Sequence, residues 1–94
     1  MKLKRLQNTL IDKEYIFIYK YYSGIEELAI DDGTDSIILH YNTNTEMLII
    51  LTFINGIVTT KNIYKFSDSI YNKIREFFVN KEEIKNFTKI VDKL

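Results

Sequence analysis

The sequence predicts an α+β fold: an antiparallel β-meander of four or five strands, with a short N-terminal helix and two C-terminal helices packed on one face. Three observations carry this. Between residues 14 and 64, runs rich in Ile, Tyr, Phe, Val and Thr alternate with short polar segments of two to five residues, the signature of strands joined by tight turns. Asn55-Gly56 separates two such runs, and Asn-Gly is the strongest short hairpin signal because a type I′ turn needs two positive φ angles. After Tyr64 the apolar spacing changes from two to that of a helix.

Taken in order, residues 2–11 place Leu3, Leu6 and Leu10 on one face, with Lys2, Lys4 and Arg5 around them, as a short helix would. The first strand spans Glu14–Tyr22, with Tyr15, Phe17, Tyr19 and Tyr21 on one face and Ile16, Ile18 and Tyr22 on the other. Ser23-Gly24 turns the chain into Ile25–Ile30, and Asp31–Asp35 turns it again, with Gly33 supplying a positive φ. Ser36–Tyr41 follows, then the turn Asn42–Thr45, then Met47–Ile54, then Ile57–Tyr64. Ser67 or Asp68 is the expected N-cap of a helix whose buried face carries Ile70, Ile74, Phe77 and Phe78. Asn80 and Glu83 form a capping-box pattern ahead of a last helix, with Ile84, Phe87, Ile90, Val91 and Leu94 inward and Lys81, Lys85, Lys89 and Lys93 outward.

The fourth strand is apolar on both faces: Met47, Leu48, Ile49, Ile50, Leu51, Phe53 and Ile54 leave only Thr52 polar. Such a strand should be covered on both sides. The N-terminal segment or a second copy of the chain, making a homodimer, would supply the second cover.

Ninety-four residues, 46% apolar and 14% aromatic, form a single domain over residues 1–94 that needs no metal or disulfide to fold. There are no cysteines, which excludes thiolate chemistry and Cys-ligated zinc and fits a cytoplasmic location. The basic start, Met1-Lys2-Leu3-Lys4-Arg5-Leu6, is not followed by the apolar stretch of a signal peptide, and the longest apolar run, Met47–Leu51, is too short for a membrane span.

Charge is segregated. The first twenty residues carry five bases and two acids, residues 61–94 carry eight bases and five acids, and between Lys20 and Lys61 there are six acids and no base. A net charge of zero thus hides blocks of +3, −6 and +3, and such segregation steers charged partners. Successive turns of a meander alternate between the ends of the sheet, so Glu26, Glu27 and Glu46 are expected at one end and Asp31, Asp32 and Asp35 at the other, about 20 Å away. These six acids, with Tyr19 and Tyr21 as interface-suited aromatics, are the candidate partner-binding residues, facing a protein with a basic surface.

No catalytic, cofactor or metal-ligating motif stands out. His40, the sole histidine, lies beside Ile38 with no acid or nucleophile in a known pattern, and Asp31, Asp32 and Asp35 lack the spacing of a calcium loop. Zero net charge and only two arginines, Arg5 and Arg75, against eleven lysines argue against nucleic acid as the partner; the basic helices are the feature a weak nucleic-acid binder would use. The excess of Ile, Lys, Asn, Tyr and Phe is that of A/T-rich codons. The expectation is therefore a small non-enzymatic interaction protein: by class, a phage- or mobile-element-encoded inhibitor of a host defence or nucleic-acid-processing complex, as an anti-CRISPR protein is. The alternative is a self-associating structural or regulatory subunit.

Overall fold

A computed structural model describes residues 1–94. Its five strands form one antiparallel sheet in sequence order: β1 Ile16–Tyr22, β2 Ile25–Asp31, β3 Ser36–Asn42, β4 Met47–Ile54 and β5 Ile57–Lys65. The meander follows from the turns. Ser23 and Gly24 take φ of 50° and 78°, and Asn55 and Gly56 take 54° and 77°, so both two-residue hairpins have the primed geometry that matches strand twist. At the intervening turns, Asp32 Oδ1 accepts from the amides of Thr34 and Asp35, and Asn42 Oδ1 accepts from those of Asn44 and Thr45. Gly24 also permits a close approach: its carbonyl accepts from both the amide and the hydroxyl of Thr43, and a Cβ there would meet Thr43 Oγ1 at 3.2 Å.

One face of the sheet carries the core. Leu28 and Ile30, Ile37, Leu39 and Tyr41, and Leu48 and Ile50 are buried there beneath the helical segments. A 3₁₀ turn, Lys4–Leu6, runs into helix α1, Gln7–Asp12, which with it contributes Leu3, Leu6 and Leu10 to this same core. Helix α2, Asp68–Val79, is capped by Ser67, whose side chain accepts from the Ile70 amide, and inserts Ile70, Tyr71, Ile74, Phe77 and Phe78. Phe77 stacks edge-on against both Phe78 and Phe87. No helix is long and apolar enough to cross a membrane.

Two expectations change. The C-terminal segment is not an α-helix opened by Asn80: it forms 3₁₀ segments at Ile84–Lys89 and Val91–Lys93, with no side-chain cap at Glu83. Asn80 instead ends α2, and Lys81 takes φ of 50°. The spacing of Ile84, Phe87 and Ile90 is three, which is the period of a 3₁₀-helix, and burying this side of the segment suits that winding. At about 120° per residue, lysines four apart no longer line up, so Lys81, Lys85, Lys89 and Lys93 do not form a stripe. Second, the N-terminal segment packs on the same face as the C-terminal elements, so it does not cover the other side of β4.

Gly56→Ala is expected to lower stability by about 1 kcal/mol through the positive φ alone. Nothing lies within 4 Å of the added methyl group, so the urea midpoint should fall with an unchanged m-value.

Candidate functional site

The acidic block is largely consumed in holding the fold together. Glu26 lies on the covered face of β2, paired with Tyr41 of β3, and is fully buried. Its Oε1 accepts from the Leu3 amide at 3.0 Å, the Lys4 amide at 3.2 Å and the Tyr19 hydroxyl at 2.8 Å, while Oε2 accepts from the Lys2 amide at 2.9 Å. The carboxylate thus takes up amides at the start of the first helical segment that no helical carbonyl can reach. Burial, reinforced by the bond to Glu26, holds the Tyr19 hydroxyl well above its ordinary pKa.

At the opposite end Asp32 does the same for the C-terminal segment: Oδ2 accepts from the Ile84 amide at 2.8 Å. Partial burial raises the Asp32 pKa, but the amides of Asp35, Ile84 and Thr34 outweigh it and hold the carboxyl below its ordinary value. Beside it, the Tyr15 hydroxyl donates to the Glu82 carbonyl, and burial together with the charges of Asp32 and Glu82 pushes its pKa up to about 12. Asp35 is buried and accepts from the Asn55 amide, tying two turns at one end of the sheet; Asp31 accepts from the Gly33 amide.

The expected end-to-end division of the acids is therefore observed, but neither trio is exposed as a unit. Glu26 and Asp35 are buried; Glu27 points to the other face, with its Oε2 4.0 Å from His40 Nδ1 and accepting from the Tyr22 hydroxyl; Glu46 is exposed and paired with Lys65 at 3.6 Å. Of the tyrosines, Tyr19 is spent on Glu26 and Tyr21 is half exposed at the sheet edge. The basic N-terminus is also engaged: the Arg5 guanidinium lies 3.8 Å from the Tyr71 ring centre and 3.4 Å from Asp68. No three His, Asp or Glu side chains converge to hold a metal ion.

What stands out instead is the other face of the sheet, which no element of the chain covers. Register brings Ile18, Ala29, Ile38 and Leu51 into one continuous row across β1 to β4, ending at Lys61 on β5. The next row reads Lys20, Glu27, His40, Ile49 and Ile63, and the row at the Asp31 end reads Ile16, Asp31, Ser36, Phe53 and Val58. Ile16, Ile18, Val58 and Ile63 are 65%, 61%, 51% and 57% exposed. A half-solvated antiparallel sheet ordinarily alternates apolar-in with polar-out, so a face this rich in isoleucine is a candidate interaction surface. Two shallow depressions flank Ile38: one of about 260 Å³ at Ala29, between Ile16 and Ile18, and one of about 330 Å³ among His40, Ile49, Leu51 and Lys61.

The two-sided apolar character of the fourth strand and the common face of Ile16 and Ile18 are visible in sequence. Their union into one patch is not evident until strands are aligned; the two-residue turn at Ser23-Gly24, which sets Ile18 opposite Ala29, is the signal that would have shown it. Compared with protein-family models, curated proteins and solved structures, the chain matches none.

Glu26→Gln keeps one acceptor oxygen but turns an NH₂ toward the Lys2 amide, and is expected to cost about 2 kcal/mol, with faster hydrogen exchange at Lys2–Lys4. For Asp32 the sign follows from its lowered folded-state pKa. Its contribution is complete above its ordinary value of 3.8 and is lost as the pH falls through the folded one. Asp32→Asn should lower stability near pH 7 by about 1–2 kcal/mol and flatten the acid limb of the stability–pH profile.

Proposed function

We propose that this is a non-enzymatic interaction protein that acts by docking the uncovered face of its sheet onto another protein surface. The observation that carries the reading is the continuous apolar row Ile18–Ala29–Ile38–Leu51, with Ile16, Ile49 and Ile63 alongside. A small inhibitor that occupies a partner's surface, encoded by a phage or mobile element, would work through such a face; the A/T-codon composition supports that class. The buried and internally paired acids support a basic partner less well than the open face supports an apolar one. Lys20, Glu27 and Lys61 at its margins would give orientation rather than bulk affinity.

A photoactivatable side chain placed at Leu51 is expected to form protein adducts in cells that express the chain, whereas one at Asn72, on the exposed side of α2, should not. Absence of adducts from position 51, with the fold intact by circular dichroism, would overturn the reading.

A further inference from the structure

Resting on the docking reading above, we infer that the occupant of the open face is a second copy of this chain, related by a two-fold axis that runs parallel to the strands between β3 and β4. The argument is the distribution of charge on that face. Its acids, Glu27 and Asp31, are both on β2; the lysines of β5, Lys61 and Lys65, stand three strands away; between them β3 and β4 present Ile38, Ile49, Leu51 and Phe53.

A two-fold axis between β3 and β4 lays β2 of each copy over β5 of the other. Glu27 shares a row with Ile63, so it falls between the partner copy's Lys61 and Lys65, one row to either side. Rows on one face are about 6.8 Å apart and packed sheets about 10 Å, distances that Glu and Lys side chains span together. Ile38 then meets Leu51 of the other copy at the centre, and the contact occurs twice by symmetry, as an isologous interface requires.

The charges also choose this axis over its neighbour. Moving it half a strand, onto β3, would lay β1 over β5 and set Lys20, in place of Glu27, between the other copy's Lys61 and Lys65, with Glu27 one strand aside. Edge-to-edge pairing is the competing mode of association. Lys20 on β1, and Lys61, Lys65 and the bulge at Thr59 on β5, opposite Thr52 and Phe53 of β4, work against it.

The area sets the strength. Four overlapped strands of seven to nine residues present about 19 × 24 Å, roughly 450 Å² per copy before side-chain relief is counted. The pair therefore buries on the order of 1,000 Å² in total, the lower bound of specific interfaces, so the dimer should dissociate in the micromolar range or above.

Sedimentation velocity from about 1 µM to about 1 mM tests this, using Glu27→Lys and the double variant Lys61→Glu/Lys65→Glu. All three sites are at the surface of the sheet, and retained thermal transitions would confirm folding. The wild type should dimerise reversibly. Each variant alone should weaken the dimer at least tenfold, because like charges then meet twice. An equimolar mixture should restore a heterodimer, since the charge reversed by Glu27→Lys in one chain then faces the charges reversed by Lys61→Glu/Lys65→Glu in the other.

A wild type that stays monomeric to about 1 mM overturns the inference, as does a mixture that associates no better than its components. If the wild type is monomeric while the crosslinker at position 51 captures a different protein, the second copy is excluded and the docking face stands. If position 51 captures nothing, both fall.

Discussion

The Glu26 carboxylate decides how the rest of this protein is laid out. A buried carboxylate is costly unless hydrogen-bonded on every side, and here its two oxygens accept from three successive amides and one hydroxyl. Those amides belong to the start of the N-terminal segment, so satisfying Glu26 and seating Leu3, Leu6 and Leu10 are one event. Asp32 repeats the device at the far end of the sheet through the Ile84 amide. Two acids from β2 and its following turn thereby fasten the two terminal segments to the same side, where α2 already lies.

That one-sidedness has a consequence for the sheet. The helical segments of residues 1–94 all pack on one face, and none of them lies on the other. Leu48 and Ile50 of β4 are buried in the core, whereas Ile49 and Leu51, equally apolar, lie on the face the chain leaves open. The lysines of the two outer strands discourage growth of the sheet at its edges.

Local chemistry makes the strands and turns legible. Ser23-Gly24 and Asn55-Gly56 adopt the primed turns their composition demands, and Ser67 caps α2, because each depends on residues within a few positions of one another. The last segment departs from its local pattern for an equally physical reason. A capping-box pattern at Asn80 and Glu83 signals an α-helix only if the preceding helix has ended, and α2 runs on to Val79, leaving Asn80 as its C-terminal cap. Tyr19 has the character of an interface tyrosine, but its hydroxyl is committed to a carboxylate seven residues away on the neighbouring strand.

The sequence by itself determined the fold class, the helix carrying Ile70 to Phe78, and the division of the acids between the two ends of the sheet. Alternation, turn residues and apolar spacing are all properties of neighbouring residues, and a meander keeps neighbours adjacent. Only the tertiary structure decided which acids are buried, that both termini share one face, and that Ile18, Ala29, Ile38 and Leu51 join into an open apolar row. Those outcomes depend on pairings across the chain, such as Glu26 with Lys2–Lys4 and Asp32 with Ile84, whose partners are 22 to 52 residues apart and leave no local pattern.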